Sequence, residues 1–256
     1  MRVLLLGDIV GQAGCRALFF GLPSLRRRLE VDLVVANAEN AVEGLGLDPK
    51  TYGELRSAGV DVVTSGNHIW QRREIEPLLE AEVRLLRPDN YPRGVPGHGT
   101  VVVEAGHSPV AVINLEGRKS LSALECPFVA ARQAVSGLRP RPRAVVIDFH
   151  AEAGDEKEAL AFHMDGLVSA VIGTHTHVQT ADERILPGGT GYLTDAGMCG
   201  SATGVIGMNP ELSVKRFVSQ MPLKMEVHDG PGVICGAFVD IDPDTGRCTH
   251  IARVRV

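Results

Sequence analysis

Hydrophobic residues along the chain alternate between short β-branched runs and longer stretches that carry an apolar residue every three or four positions. The short runs predict buried strands, and the longer stretches predict amphipathic helices. Strands are predicted over 3–6, 31–36, 60–64, 144–149 and 169–173. Helices are predicted over 12–29, 48–58, 74–82, 128–137 and 156–167. Strands that alternate with helices predict an α/β fold in which helices flank a largely parallel sheet.

The segment near 88–126 departs from this alternation, because it is rich in Pro and Gly and contains two short apolar runs. The runs over 100–104 and 110–115 predict an antiparallel hairpin. The end of the chain predicts further strands over 223–227, 233–241 and 250–256. These additions make the sheet mixed and are compatible with two packed sheets. We therefore expect a single domain over 1–256, with a small antiparallel excursion near 88–126.

Composition restricts the class of protein. A chain of 256 residues with 44% hydrophobic residues can form a full core. Its formal net charge of −5 argues against a long nucleic acid as partner, although a local metal charge could still attract a small anion. The five cysteines include no CxxC pair, which favours free thiols in a cytoplasmic protein. No run approaches ~18 apolar residues, so we expect no membrane span.

Side chains that can bind a metal follow the carboxyl end of each of five predicted strands. In chain order these are Asp8, then Glu39 and Asn40, then Asn67, then His150, and finally His175 and His177. Ligands of α/β sheets bind outside the carboxyl ends of the strands. The seven side chains are therefore expected to converge on one patch.

The residue types indicate which chemistry this patch supports. Carboxylate, amide and imidazole ligands without a thiolate suit Mn, Fe or Zn, and do not suit a Cys-rich structural zinc site. Seven ligands are too many for one tetrahedral ion, so we expect two metals with Glu39 as the bridging carboxylate. Two divalent cations outweigh the charges of Asp8 and Glu39, and the positive excess favours an anionic substrate such as a phosphate ester. In extended backbone, His175 and His177 would face the same side and serve both ions.

Each of these residues alone also has a purely structural explanation. Asp8 could be only the N-cap of the first helix. Asn67 could be only a turn residue that tolerates a positive φ. His150 could be a buried histidine with satisfied hydrogen bonds. The shared position at five strand ends favours a functional site over these separate explanations.

Six stretches of the sequence resemble a known family. They are 7–11 (GDIVG), 37–40 (NAEN), 66–68 (GNH), 150–153 (HAEA), 173–182 (GTHTHVQTAD) and 194–198 (TDAGM). Together they resemble the calcineurin-like metallophosphoesterases and, more narrowly, the YmdB-like bacterial branch of 2′,3′-cyclic-nucleotide phosphodiesterases, from residue 1 to at least 207. Val10 stands where the wider superfamily has a His, and Glu39 where it has a bridging Asp. Both departures are typical of the narrower branch.

The resemblance implies a metallophosphoesterase-type α/β sandwich and a role for each candidate residue. Asp8, Glu39, Asn40 and His177 would hold the first metal. Glu39, Asn67, His150 and His175 would hold the second. His68 would be the catalytic acid that protonates the departing ribose oxygen. The implied metal is iron, with manganese or zinc as alternatives, and the implied partner is a small phosphate ester or nucleotide.

Two other functions remain open at this point. An amidohydrolase also uses a His-x-His pair and two metals, although its pair lies on the first strand of a barrel, whereas 175–177 comes late in this chain. A nucleotide sensor or regulatory protein could keep the metal site with little turnover. The sequence also leaves a homo-oligomer open.

Overall fold

The computed structural model describes residues 1–106 and 108–256, and its strands form two sheets. The strands are β1 Arg2–Leu6, β2 Asp8–Ile9, β3 Leu33–Asn37, β4 Val62–Thr64, β5 Thr100–Ala105, β6 Ser108–Glu116, β7 Ala144–His150, β8 Ala170–Thr174, β9 Arg184–Ile185, β10 Gly191–Leu193, β11 Met198–Ser201, β12 Gly232–Ile241 and β13 Cys248–Arg255. The α-helices are α1 Gly11–Leu29, α2 Pro49–Ala58, α3 Glu76–Ala81, α4 Pro127–Gly137, α5 Gly154–Met164 and α6 Pro210–Ser219. None of these described helices has the length and apolar character needed to cross a bilayer.

Both sheets combine parallel and antiparallel strands. The first has the order β2-β11-β12-β1-β3-β4, and β13 also pairs with β12. In it, β1, β3 and β4 are parallel, whereas β12 is antiparallel to β1. The second has the order β5-β6-β7-β8-β10-β9. Its four central strands are parallel, and β5 and β9 are antiparallel edge strands. The predicted mixed α/β class is confirmed.

Period-two alternation along the strands explains why the sheets stack. On β1, Val3 and Leu5 point into the layer between the sheets, whereas Leu4 and Leu6 point towards α1. Residues of the second sheet, such as Val110 and Val112 of β6, complete the layer between the sheets. A third apolar layer joins the other face of the second sheet to α4 and α5. This stacking of two sheets between helices brings the carboxyl ends of β1, β3 and β4 close to those of β7 and β8.

The start of the helix predicted over 48–58 is confirmed, because Asp48 is its N-cap and accepts a hydrogen bond from the Thr51 amide at 2.7 Å, and Pro49 is its first helical residue. Several other predicted elements differ in detail from the structure. The helix predicted over 74–82 is shortened to α3 and preceded by two 3₁₀ turns. The strand predicted over 223–227 is wrong, because only Val227 pairs there, in an isolated bridge. The helix α6 was not predicted, although Asn209-Pro210 is a recognisable N-cap followed by a first-turn proline.

The hairpin predicted within 88–126 is present as β5 and β6. β6 also pairs in parallel with β7 over its whole second half, from Val110 to Glu116. The hairpin therefore extends the second sheet and ends at the same edge as the candidate metal ligands.

The five cysteines are all free thiols. Burial raises the pKa of the Cys15 thiol to about 11 and that of Cys248 to about 11. The thiols of Cys15 and Cys248 therefore stay protonated near neutral pH, so they are poor nucleophiles and poor metal ligands.

Candidate metal centre

The seven candidate ligands lie together at the shared edge of the two sheets. Asp8 begins β2, Glu39 and Asn40 follow β3, and Asn67 follows β4. His150 ends β7, and His175 and His177 follow β8. Of the three candidate histidine ligands, His150 and His177 are the furthest apart in sequence. Both approach the carboxylate of Asp8, since His150 Nδ1 and His177 Nε2 each lie 3.8 Å from Asp8 Oδ1. The convergence expected from the strand ends is therefore seen in the structure.

One group of four side chains surrounds the imidazole of His150. Its Nε2 lies 3.0 Å from Glu39 Oε1, 3.1 Å from Asn67 Oδ1 and 3.0 Å from His175 Nδ1. The ligand atoms of Glu39, His150 and His175 all lie within 4.8 Å of one another. This is the set that the resemblance assigns to the second metal.

The other group contacts the same oxygen of Glu39, Oε1, through Asn40. His177 Nε2 is 3.8 Å from Asp8 Oδ1 and 3.2 Å from the amide nitrogen of Asn40. That nitrogen is 3.4 Å from Glu39 Oε1. Glu39 thus contacts members of both groups, which is the position that a bridging carboxylate requires.

The histidines of the His-x-His pair each have one ring nitrogen occupied by an oxygen acceptor. His175 Nε2 lies 3.0 Å from Glu152 Oε2, and His177 Nδ1 lies 2.9 Å from the carbonyl oxygen of Ile206. We therefore assign the N–H to these nitrogens. The assignment leaves the lone pairs of His175 Nδ1 and His177 Nε2 directed at the cluster, as in metal-ligating histidines.

His150 is oriented in the same way by a buried chain of hydrogen bonds. The Thr174 hydroxyl donates to Asp148 Oδ1 at 2.8 Å, so its oxygen is free to accept from His150 Nδ1 at 3.1 Å. Burial raises the pKa of Asp148 to about 6, although the hydrogen bonds from Thr64 and Thr174 act to lower it. With its N–H on Nδ1, His150 also directs a lone pair, on Nε2, at the cluster.

The residues fit a cation on two structural observations. First, Asp8 Oδ1 is fully buried and has no hydrogen-bond partner among the residues that the structure describes, although Oδ2 accepts from the His175 amide at 2.9 Å. A buried carboxylate oxygen without a partner is costly unless a cation satisfies it. Second, the atoms around His150 Nε2 are acceptors, and converging lone pairs repel one another unless a positive charge lies among them.

The electrostatics of the metal-free cluster show the same need for positive charge. Burial raises the pKa of Asp8, and His177 and His150 only partly offset it. Burial also acts against ionisation of Glu39, yet His150 and His68 outweigh it and hold the pKa of Glu39 well below its ordinary value. Burial lowers the pKa of His150, but Glu39 and Asp8 outweigh it and raise that pKa to about 9. A proton on His150 therefore supplies positive charge to the cluster. A bound cation would replace that proton, so metal binding should release protons.

His68 lies at the rim of the cluster. Its amide donates to Glu39 Oε2 at 2.8 Å, and its Nδ1 is 2.7 Å from Asn40 Oδ1. Its side chain is 28% exposed, whereas those of Glu39 and His150 are fully buried. Because Nδ1 is occupied by Asn40, Nε2 is the ring nitrogen that can meet a substrate.

Asn40 is the candidate ligand that fits least directly. Its amide nitrogen faces His177 and Glu39, and its oxygen faces His68. Exchange of the two isosteric amide atoms would turn the oxygen towards the cluster and let the nitrogen donate to His68 Nδ1. Coordination by Asn40 requires this orientation.

The structure also decides the alternatives for single residues. Val10, not Asp8, is the N-cap of α1, which has no side-chain cap. Asn67 does not have a positive φ. His175 and His177 do, at 105° and 64°, so the extended backbone expected for this pair is wrong. The pair lies in the turn over 175–177 that follows β8.

Comparison with known proteins places the chain in a family. The sequence model of the family described as YmdB-like protein matches residues 4–254. The chain belongs to the YmdB-like protein family. A Bacillus subtilis member, named 2′,3′-cyclic-nucleotide 2′-phosphodiesterase, is 42% identical over 256 residues, which cover 100% of this chain and 97% of that protein. The resemblance inferred from the six stretches is confirmed.

Solved structures show the extent of the shared fold. A crystal structure from Mycoplasma pneumoniae, described as a novel phosphatase, has a TM-score of 0.93 and 33% identity, and the match covers 100% of this chain and 93% of that one. Haemophilus influenzae NAD nucleotidase has a TM-score of 0.62 and 12% identity over 55% of its own chain, which shows a shared fold alone. The two-sheet architecture of this YmdB-like chain also contradicts the amidohydrolase alternative, which requires a barrel of eight βα units.

One acid of the candidate site was not predicted from the sequence. Glu116 ends β6 directly opposite His150 on β7, and it is fully buried. Its Oε1 has no hydrogen-bond partner, and Tyr91 is 3.4 Å from Oε2. Burial raises its pKa to about 7. The available signal was its position, since Glu116 follows the run predicted over 110–115 as the other candidates follow their strands.

Proposed function

We propose that the protein is a metal-dependent phosphodiesterase that hydrolyses small phosphate esters, with 2′,3′-cyclic nucleotides as its substrates. The observation that carries this proposal is the common orientation of His150, His175 and His177. Each has one ring nitrogen beside an oxygen acceptor and its other ring nitrogen near the buried carboxylates Asp8 and Glu39. The name of the Bacillus subtilis relative supports the ester class.

The donor set suits two divalent cations, iron first, with manganese or zinc as alternatives. Asp8, Glu39, Asn40 and His177 would hold one, and Glu39, Asn67, His150 and His175 the other. When bound, such cations supply Lewis acidity and neutralise the charge that a phosphoryl group gains during hydrolysis. Their excess positive charge over the two carboxylates also attracts an anionic substrate into a chain whose net charge is −5.

His68 supplies the proton in this proposal. During hydrolysis, an oxygen of water forms a bond to phosphorus and releases a proton to solvent, the bond from phosphorus to the ribose 2′ oxygen breaks, and the 2′ oxygen takes up a proton. His68 Nε2 donates that proton, because Asn40 occupies Nδ1 and the ring lies at the exposed rim. The product is then a nucleoside 3′-phosphate.

A substrate panel tests the reaction. Protein loaded with Fe²⁺ or Mn²⁺ is incubated with a 2′,3′-cyclic mononucleotide, a linear dinucleotide and a nitrophenyl phosphodiester, and the products are separated by chromatography. We expect conversion of the cyclic nucleotide to the 3′-phosphate. Tight binding of the cyclic nucleotide without turnover would instead support the nucleotide-sensor alternative.

Replacement of His68 tests its role separately from metal binding. His68→Ala should retain the metal content of the wild type and lower turnover roughly 10²–10⁴-fold. The exposed His250, on β13, offers a matched control, and His250→Ala should leave both properties unchanged. If metal content fell together with activity in His68→Ala, His68 would be a ligand and the assignment as acid would be wrong.

A further inference from the structure

The turn that carries the two C-terminal candidate ligands needs support from outside itself. His175 and His177 both have positive φ values, 105° and 64°, which side chains other than Gly rarely adopt. Such conformations persist only when the surroundings hold them in place. Thr176 is the only residue between the two histidines, and its backbone amide lies within the turn.

The carboxylate of Asp195 holds that amide. Its Oδ2 accepts from the Thr176 amide at 3.1 Å, and its Oδ1 accepts from the Gly197 amide at 2.9 Å. The carbonyl oxygen of Gly197 in turn accepts from the Asp8 amide at 3.2 Å. One buried carboxylate therefore connects the turn of His175 to the backbone of Asp8, on the other sheet.

Lys157 of α5 supplies the charge that balances Asp195. Its Nζ lies 2.7 Å from Asp195 Oδ2, and the two side chains are 1% and 0% exposed. The lysine reaches this position across Gly173 of β8, where a Cβ atom would lie 2.8 Å from Lys157 Cδ and 1.8 Å from the carbonyl oxygen of Thr194. Gly173 is thus the residue that leaves room for the lysine stem.

A buried ion pair is not needed for stability as such. Desolvation of two charges offsets most of their attraction, and apolar residues of similar size often serve a core equally well. Lys157 and Asp195 are also not among the seven candidate ligands. Their hydrogen bonds lead to the backbone beside three of those ligands, which points to a role in geometry.

We propose that the Lys157–Asp195 ion pair is a positioning device for the metal centre. It holds the Thr176 and Gly197 amides so that the side chains of the His175–His177 turn and of Asp8 keep the distances that a metal requires. Lys157 and Asp195 act through these backbone groups and touch neither substrate nor metal. The inference rests on the proposed function for the identity of the ligands, but its geometric part is testable without any metal.

The chemistry of the contact predicts that an amide cannot replace the carboxylate. Asp195 accepts three hydrogen bonds, from Lys157, Thr176 and Gly197. Asparagine at this position keeps the volume, but its NH₂ group must face one of these donors. Either the turn or the link to Asp8 therefore loses its acceptor.

The test compares Asp195→Asn, Lys157→Met and the double variant, each prepared free of metal. Three quantities are measured: Mn²⁺ affinity by calorimetry, the midpoint of thermal unfolding, and exchange of the Thr176 amide by NMR. Asp195→Asn should bind Mn²⁺ about 10–100-fold more weakly, the range typical when a partner that orients a ligand is removed. Its Thr176 amide should exchange faster than in the wild type.

The double variant separates positioning from general stability. Lys157→Met alone leaves Asp195 as an unpaired buried charge, so this single variant should be the least stable. The double variant removes both charges and should recover stability, while its Mn²⁺ affinity stays low because the carboxylate is still missing. Asp165→Asn is a matched control, since Asp165 accepts from the Gly188 and Thr190 amides at 2.7 and 3.3 Å at the opposite end of β8. It should lower stability and leave Mn²⁺ affinity unchanged.

Two results would overturn the positioning role. One is an Asp195→Asn variant with Mn²⁺ affinity within about twofold of the wild type and an equally protected Thr176 amide. The other is an equal loss of affinity in Asp165→Asn, which would make the effect one of overall stability. If the wild type itself bound no Mn²⁺, the proposed metal centre would fail, and Thr176 exchange in the metal-free variants would still decide whether Asp195 holds the turn.

Discussion

A single methyl group added at Gly66 should displace His150, one of the candidate metal ligands, directly. A Cβ atom at Gly66 would lie 2.1 Å from Cδ2 and 2.4 Å from Nε2 of His150. Non-bonded carbon atoms need about 3.5–4.0 Å, so the ring must move by roughly 1.5 Å in Gly66→Ala. Gly66 does not have a positive φ, so the effect is steric and not conformational.

The magnitude follows from that displacement. Metal–ligand distances tolerate only about ±0.2 Å, so a shift of this size removes His150 from the cluster. Misplacement by about 1 Å costs roughly 10²-fold in rate, and we expect at least that loss of turnover. Overpacking of a core costs about 1–3 kcal/mol, which corresponds to a fall of several degrees in the unfolding midpoint.

Gly53→Ala is the matched control for this prediction. Gly53 lies within α2, and a Cβ atom there meets nothing within 4 Å. Alanine should stabilise that helix by up to about 1 kcal/mol and leave the site intact. Both variants are compared by elemental analysis, steady-state turnover and thermal unfolding. A Gly66→Ala protein with the metal content and turnover of the wild type would refute the proposed place of His150.

Four further predictions follow from particular contacts. Chelation of the metal should abolish turnover and lower the unfolding midpoint, because a ligand that binds only the native state stabilises it, and added Fe²⁺ or Mn²⁺ should restore both in the same assay. Glu152→Ala should weaken Mn²⁺ binding about 10-fold in a calorimetric titration, since Glu152 orients His175 from a half-exposed position. In the metal-free protein, the buried Glu116, whose pKa is raised to about 7 from 4.5, destabilises the fold progressively as pH rises from 4.5 to about 7. In denaturant unfolding, the free energy of unfolding of Glu116→Gln should therefore rise relative to that of the wild type over this pH range, by at most about 3 kcal/mol. A difference that stays constant with pH would contradict the raised pKa of Glu116. Asp48→Ala should cost about 1 kcal/mol of unfolding free energy through loss of the bond to Thr51, with turnover unchanged.

The sequence predicts which side chains follow the strand ends, because strand direction is set by the polypeptide backbone. Parallel strands of one sheet end at the same edge, so Asp8, Asn40 and Asn67 could be expected to lie together before any coordinates were known. His150 and His175 come from the other sheet, and the same rule placed them at its carboxyl edge. The two edges coincide because of the way the sheets pack. Local patterns did not predict this packing, but the stretches shared with the YmdB-like family implied it.

Elements without a strong local pattern were harder to predict. α6 exposes apolar side chains such as Phe217, at 72%, so its hydrophobic face does not identify a buried stripe. The run over 223–227 has the composition of a strand but finds only the single bridge of Val227 as a partner. Strand formation requires a neighbour, and the neighbour is a property of the fold.

From the sequence we could predict the types of ligand, their order and the edge at which each emerges, because side-chain chemistry and strand direction are local properties. The packed structure was needed to show which nitrogen of each histidine faces the cluster, and that both histidines of the His175–His177 turn have positive φ values. It likewise decided that the Lys157–Asp195 ion pair lies buried behind that turn. These features depend on contacts between residues far apart along the chain, and such contacts exist only once the two sheets have packed together.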